Sequence, residues 1–303
     1  MTCFFPLTAW RSRAPEDHSP GKAPRLVFDK AKGYPGTELK IACGQCAGCR
    51  LDRARSWAIR AIHEASLHES NCFLTLTYSD EALPYSSYVD DLGSSFVLPT
   101  LLPRDGTLFL KRLRKKYGAG IRYLFCGEYG SDYSRPHYHA LLFNWRPDDL
   151  SVYGKSGDNI VYTSAQLQSL WPHGFSTVGD LSFDSACYTA RYVLKKVTGE
   201  KADEHYQGRE PEYLRSSRRP GLARGWYEQW TSDVYDYDHV VVRDKFIARP
   251  PQYYDRLFEQ NHPERFQEIK KSRKSRVVER SPEELQRLRQ FAAEKQSRIS
   301  GSI

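Results

Sequence analysis

The chain has 303 residues, of which 27% are charged and 13% aromatic, enough to bury a full core and too rich in core-forming side chains for a disordered polymer. A formal net charge of +8 and a pI near 9.0 favour polyanionic partners, because lysines and arginines release counterions from a phosphate backbone. No apolar run approaches the ~20 residues of a membrane span, and Met1-Thr-Cys-Phe-Phe-Pro-Leu7 lacks the pattern of a signal peptide, so a membrane role is not expected. The seven cysteines, with Cys126 and Cys187 inside apolar runs, argue for a reducing compartment rather than a disulfide scaffold.

Residues 1–42 are rich in Pro, Gly and charge and predict a loop-dominated arm, with Arg25-Leu-Val-Phe28 as its one strand-like run. Cys43, Cys46 and Cys49 then form two overlapping C-x-x-C turns, which bring three thiols within reach of one ion. Tetrahedral zinc needs a fourth ligand, and Cys3, carried by the arm, is the candidate. Reduced cysteines and a redox pair are the alternatives, although a redox C-x-x-C is expected after a strand and no strand run precedes this one. From Arg50 to Ser66 the apolar spacing is helical, with Arg50, Arg53 and Arg60 on the polar side, the first two as candidate phosphate contacts. His63 and His68 read as packing or surface residues.

Cys72-Phe-Leu-Thr-Leu-Thr-Tyr78 predicts a central strand, on which Thr75 and Thr77 share a face and read as packing residues. Residues 79–103 predict an irregular connection. Thr107 to Tyr117 predicts an amphipathic helix ended by Gly118, whose cluster of cations includes the candidate DNA contacts Lys111, Arg112 and Lys115. Two apolar strand runs follow, Tyr123 to Glu128 and His137 to Phe143, separated by a turn-rich segment. Strand side chains alternate faces, so His137 and His139 project together, and a hairpin can bring Glu128 opposite them. Two imidazoles and a carboxylate on one face suit a divalent metal such as Mg or Mn.

Residues 146–162 predict loop, and their Gly-Lys-Ser lacks the first glycine of a phosphate-binding P-loop. Ser164 to Trp171 predicts a short helix, Phe175 to Leu181 a strand, and Asp184 or Ser185 the cap of a further helix. On that helix Tyr188, Tyr192 and Lys195 fall at i, i+4 and i+7, with Arg191 and Lys196 beside them. By itself such a tyrosine pair reads as an aromatic packing stripe. The stretch 199–220 is polar, and beyond it lie a helix from Gly225, a hairpin over Asp238 to Ala248, a helix from Pro251, and a charged helical tail from Pro263. The chain reads as three stretches: a Cys-rich element and basic helix over 1–70, a core over 71–200, and a basic extension over 201–303.

Four of these motifs, in this order, carry a resemblance. Arg135-Pro-His-Tyr-His-Ala-Leu-Leu-Phe143, the upstream Gly127-Glu128 pair and Tyr188-x-x-x-Tyr-x-x-Lys195 resemble the signatures of HUH-type rolling-circle replication initiators. With Cys43-Gly-Gln-Cys-Ala-Gly-Cys-Arg50 and Phe73-Leu-Thr-Leu-Thr-Tyr78, the chain from about Cys3 to Gly225 is similar to the replication initiators of small single-stranded DNA phages of the microvirus group, gokushovirus branch. The resemblance implies an α+β fold with a central antiparallel sheet of about five strands near the RNA-recognition-motif topology, flanking helices on one side and the His strand central. It implies that Glu128, His137 and His139 hold Mg or Mn, that Tyr188 or Tyr192 attacks a phosphodiester of origin DNA, and that Lys195 favours the phenolate. The products would be a 5′-phosphotyrosine link and a 3′-OH primer, which the second tyrosine allows to be rejoined. Single-stranded DNA would lie on the open face of the sheet, with Arg50, Arg53, Lys111, Arg112, Lys115, Arg135, Arg191 and Lys196 as contacts. Host helicase and polymerase are implied partners, and the cytoplasm of a bacterial host is the implied place. A transposase or relaxase with the same chemistry, and a non-catalytic zinc-containing DNA-binding protein, are the alternatives.

Overall fold

The structure, a computed structural model, describes residues 3–18, 24–130, 134–191, 196, 197, 199, 201–243, 246–276, 281, 283, 284, 286–291 and 294. The chain divides into two compact units, Met1–Asp52 with Lys274–Ile303, and Arg53–Arg273. That division cuts the chain differently from the three stretches expected at residues 70 and 200. Among the described residues no helix is long and apolar enough to cross a membrane.

In the smaller unit, β1 (Leu7–Arg11), β2 (Leu26–Val27) and β3 (Leu39–Ile41) form an antiparallel sheet in the order β2-β1-β3. The expected loop-dominated arm is therefore a small sheet. Its pairings join residues far apart in sequence, such as Leu7 with Ile41, and its short strands bury too little to show a period of two. Helix α1 (Ala47–Ala65) begins in this unit on the cysteine turns.

The larger unit continues with β4 (Asn71–Thr77), the hairpin β5 (Tyr85–Val89) and β6 (Ser95–Pro99), α2 (Pro103–Tyr117), β7 (Arg122–Tyr129) and β8 (Pro136–Phe143). There follow the hairpin β9 (Ser151–Ser156) and β10 (Asn159–Thr163), α3 (Ala165–Leu170), β11 (Ser176–Gly179), α4 (Phe183–Arg191), α5 (Lys201–Tyr206) and β12 (Tyr213–Ser216). The unit ends with α6 (Arg224–Tyr237), β13 (Val240–Arg243), β14 (Phe246–Ala248), α7 (Gln252–Asn261) and α8 (Pro263–Ser275). Seven strands make one antiparallel sheet, in the order β12-β7-β8-β4-β11-β10-β9. Its inner four, β7-β8-β4-β11, have the split β-α-β order of the RNA-recognition motif, with β8 inserted between β4 and β7.

The expected sheet of about five strands is thus too small. The hairpin β9–β10 occupies a stretch expected to be loop, and β12 lies in the polar stretch after residue 199. Every residue of β9 except Gly154 is exposed, so no buried face imposes an alternation that sequence could reveal. Residues 79–103 likewise contain the paired β5–β6 hairpin rather than an irregular connection.

The two faces of the sheet are packed by different helices. On one, Leu74, Leu76, Phe125, Tyr138, Ala140 and Leu142 meet Phe109 and Leu113 of α2 and Leu167, Leu170 and Trp171 at α3. On the other, Leu124, Leu141 and Phe143 meet Ala58 and Ala61 of α1 and Ala186 of α4. Helices on one side only are therefore not what forms, because the small side chains of α1 and α4 allow close approach at one end of the second face. The same α1 contributes Ile59 to a further cluster with α6, α7 and α8, around Tyr254 and Phe258. Arg60, expected on the polar side of α1, is buried there: its guanidinium lies over Trp57 and Tyr253 and donates to the Leu222 carbonyl at 3.1 Å. His63 also packs, stacked on Trp226 and bonded to the Tyr254 hydroxyl at 2.9 Å.

Candidate metal and nucleophile site

The hairpin β7–β8 sets the site by register. Glu128 lies opposite His137 and Cys126 opposite His139, so Glu128, His137 and His139 share the face that carries Leu141 and Phe143 farther along the strand. The Glu128 Oε1 lies 2.7 Å from His137 Nε2 and 3.0 Å from His139 Nε2. One ligand atom from each of the three lies within 4.8 Å of the others. Glu128 and His139 are almost wholly buried, whereas the His137 side chain keeps 19% exposure, so the site opens at one end.

The other ring nitrogens are held in turn. His137 Nδ1 lies 3.1 Å from the Arg135 carbonyl, and a carbonyl only accepts, so this nitrogen is the donor. His139 Nδ1 lies 3.1 Å from the Thr75 hydroxyl on the neighbouring strand β4, its register partner. In neutral rings held this way, both Nε2 lone pairs face the Glu128 carboxylate, and they repel it unless a proton or a cation lies among them. The donor set therefore fits a divalent metal. Burial alone would raise the Glu128 carboxyl, but the hydrogen bonds and charge of the two histidines bring it down to about 2. It stays an anion at neutral pH.

Helix α4 covers this face. Its cap is Ser182, one turn earlier than expected: Ser185 N–H donates to the Ser182 hydroxyl at 3.1 Å, and Ser182 N–H donates to the Ser185 hydroxyl at 2.8 Å. Starting there, the helix directs Tyr188 onto the site, with its ring 5.1 Å from that of His139 and 6.0 Å from that of Phe73. Tyr192 and Lys195 lie outside the described residues.

The expected DNA contacts fall into different places. Arg135 precedes β8 at the site and is held by Asp80 at 2.6 Å and the Tyr78 carbonyl at 2.7 Å. Arg191 is half-buried at the end of α4, and Arg53 and Lys196 are exposed. Lys111, Arg112 and Lys115 are on α2, which packs on the sheet face opposite the Glu128 cluster, and Arg112 donates to the Leu170 carbonyl at 2.8 Å. The structure does not bring these three to the Glu128 cluster. Arg50 belongs to the smaller unit, where it meets Gln45. Thr75, read from sequence as a packing residue, instead orients His139. Its place beside a histidine depends on the β4–β8 register, which one strand read alone does not reveal.

The smaller unit holds the second cluster. The Sγ atoms of Cys3, Cys43, Cys46 and Cys49 all lie within 4.8 Å of one another, with Cys3 to Cys46 at 3.9 Å and Cys43 to Cys49 at 4.0 Å. Zinc–sulfur bonds of about 2.3 Å in a tetrahedron give sulfur–sulfur edges of about 3.8 Å, so the spacing fits one ion. All four cysteines are free thiols. Backbone N–H groups of Cys43, Phe4 and Cys46 point at the Cys3, Cys46 and Cys43 sulfurs at 3.3, 3.4 and 3.3 Å, donors that suit thiolates. Burial raises the Cys3 thiol, and burial together with the neighbouring Cys3 and Cys46 raises Cys49. At Cys46 burial is outweighed by backbone donors and adjacent thiols, which lower it to about 7. Four ionised thiols this close need a cation.

Known proteins place both clusters in a family context. A family model for phage replication-associated proteins of the ORF2 type matches residues 71–197, a span that contains β4, the Glu128 cluster and α4. The chain is 35% identical over 297 residues to replication-associated protein ORF2 of Spiroplasma virus 4, covering 93% of this chain and 88% of the relative. It is 35% identical over 236 residues to replication-associated protein VP4 of Bdellovibrio phage phiMH2K, covering 75% and 70%. To replication-associated protein ORF4 of Chlamydia phage 1 it is 33% identical over 193 residues, covering 60% and 45%. No solved structure matches significantly.

Proposed function

The chain belongs to the replication-associated protein family of microvirus-type phages, and from that premise we propose that it starts rolling-circle replication by nicking single-stranded origin DNA with a tyrosine. The observation that carries this reading is the cluster of Glu128, His137 and His139 with the Tyr188 ring 5.1 Å from His139. A metal, Mg or Mn, held by those three side chains would supply Lewis-acid polarisation of a non-bridging phosphate oxygen. The remaining work falls to the protein. Thr75 and the Arg135 carbonyl keep the two imidazoles turned toward Glu128, so the ligand set is formed in advance.

Tyr188 attacks phosphorus through its phenol oxygen. A bond from that oxygen to phosphorus forms and the bond from phosphorus to the 3′-oxygen breaks, the phenol proton being lost and the 3′-oxygen gaining one. A phenol has a reference pKa of ~10, so at neutral pH it must shed its proton as it attacks. Lys195, seven residues on in the same helical frame, favours the phenolate. The 5′-phosphotyrosine ester keeps the energy of the broken bond, and the free 3′-OH primes a host polymerase working with a helicase in the bacterial cytoplasm. After one round Tyr192 cuts the regenerated origin, and the released 3′-OH attacks the first ester and closes the circle without ATP. Arg53, Arg135, Arg191 and Lys196 are the backbone contacts on the larger unit; Lys111, Arg112 and Lys115 would meet DNA only beyond the cleaving face. Cys3, Cys43, Cys46 and Cys49 hold structural zinc.

Incubation of the protein with single-stranded origin DNA and Mn tests the reading on a denaturing gel. The expected result is a covalent protein–DNA band that chelation prevents and that a Tyr188→Phe, Tyr192→Phe double variant lacks. No band from the wild-type protein would leave the non-catalytic zinc-containing DNA-binding reading. A band from the double variant would remove the tyrosines as nucleophiles.

A further inference from the structure

Two exposed aromatic rings outside the Glu128 cluster belong to the same row of the sheet. Glu128, His137 and Thr77 are register partners in turn across β7, β8 and β4. The next strand continues the row: the Thr77 N–H and hydroxyl both donate to the Phe175 carbonyl, each at 2.9 Å. Thr177 pairs with Thr75 on the cluster's face, and Ser176 is buried on the other, bonded to Gln168 of α3. Phe175, two positions before Thr177, therefore faces the side of Glu128, and it is 45% exposed.

Tyr153 meets it there by way of a bulge. In the β9–β10 pairing Gly154 lies opposite Val161 and Val152 opposite Tyr162, which leaves Tyr153 opposite no residue. Bulges of this kind re-aim a side chain. The Tyr153 ring lies 5.1 Å from that of Phe175, tilted by 52°, and the residue is 64% exposed. Neither ring belongs to a core cluster, and the exposed Lys155 follows on β9.

We propose that Tyr153 and Phe175 form a stacking platform for bases of the single strand whose phosphate is cut at the Glu128 cluster, an inference that rests on the nicking reading above. The occupant is single-stranded DNA because the platform continues the row of the cleaving residues on a chain of net charge +8. Stacking on exposed rings also tolerates any base. Two strand spacings separate Phe175 from His137, about 10 Å, which a strand stacked at about 3.4 Å per nucleotide covers in roughly three nucleotides. The platform would thus hold the strand at a fixed distance from the cut and resist its sliding.

The test uses full-length protein in EDTA and single-stranded origin oligonucleotides with 2-aminopurine scanned along the strand. Stacking is expected to quench the probe over a window of adjacent positions a few nucleotides from the cleaved phosphate. Tyr153→Ala and Phe175→Ala should lose that quench and weaken binding by about 10-fold or more, within what one stacked base contributes. Tyr153→Phe and Phe175→Tyr should retain both, and all four variants should form adduct at saturating DNA nearly as the wild type does. Alanine variants with unchanged affinity and quench would overturn the proposal, as would variants that alter only sedimentation, which would assign the rings to a second copy of the chain. A wild-type protein that shows the quench but never forms an adduct would sink the nicking reading and leave the platform standing.

Discussion

The two ligand clusters of this molecule are built in opposite ways. In the smaller unit three of the four thiols come from a seven-residue stretch and the fourth from the N-terminal end, on a framework of three short strands. In the larger unit the carboxylate and imidazoles stand on adjacent strands of a seven-stranded sheet, each ring braced from behind and two of the three side chains buried. An ion in the first cluster therefore organises the chain around it, whereas in the second the chain has already organised the ligands. Metal loss should accordingly cost local folding in one and chemistry in the other.

The largest effect should come from Glu128→Ala, which removes the anion that both imidazoles face. Adduct formation should fall by more than the about 100-fold that outer-shell losses cost, with the thermal transition of the larger unit little changed. A collapse of that transition instead would mean that the cluster is structural, and the contrast between the two regions would break. Next is Cys46→Ser, which should empty the cysteine cluster of zinc, because structural zinc binding is itself folding free energy, about 10–16 kcal/mol in zinc-finger peptides. Limited proteolysis should then cut within residues 1–52 while the larger unit persists; zinc content near one ion per chain in that variant would refute the four-thiol site.

Thr75→Val should be gentler, since it keeps the shape and removes only the partner of His139 Nδ1. A rise of about 10–100-fold in the Mn concentration needed for half-maximal adduct, at an unchanged maximum, is the expected result. An unaltered Mn requirement would show that the strand alone fixes the ring. The smallest effect concerns His63, which belongs to neither cluster. Burial, only partly offset by the Val241 carbonyl, lowers its pKa to about 4, against 6.5 for an exposed imidazole. The unfolded chain then takes up a proton at a higher pH than the folded one, so stability is retained above pH 6.5 and lost as pH falls from there toward 4. The loss should reach up to about 3 kcal/mol, and His63→Phe should remove that slope in chemical denaturation.

How much of this was legible beforehand depended on whether a residue's neighbours are local. Helix α1, strand β4, helix α2 and the hairpin β7–β8 all announce themselves through apolar spacing, and Gly118, with φ of 102°, ends α2 where expected. The pairing of Glu128 with His137 follows from one hairpin, so it too was within reach. The hairpin β9–β10 was not, since exposed strands carry no burial pattern, and neither was the small sheet that replaces the expected arm. The role of Thr75 depends on which strand lies beside β8, and the side on which α2 packs decides that Lys111 and Lys115 lie away from the cluster. The spacing of Tyr188 on its helix was legible, but its nearness to His139 was not, because it needs α4 to cross the face of a sheet whose strands are gathered from over a hundred residues.

Sequence by itself determined which chemistry is available: the paired imidazoles on one strand, the carboxylate one turn of hairpin away, the thiols of the C-x-x-C turns and the basic balance of the chain. These are properties of short stretches, fixed by side-chain type and by the two periods of regular backbone. Tertiary structure alone decided what each group meets: Cys3 closing the thiol cluster, Thr75 behind His139, Arg60 under two rings, and Tyr153 turned onto Phe175. Such neighbours are set by strand order and helix packing, which arise from burial summed over the whole core and leave no mark on any one segment.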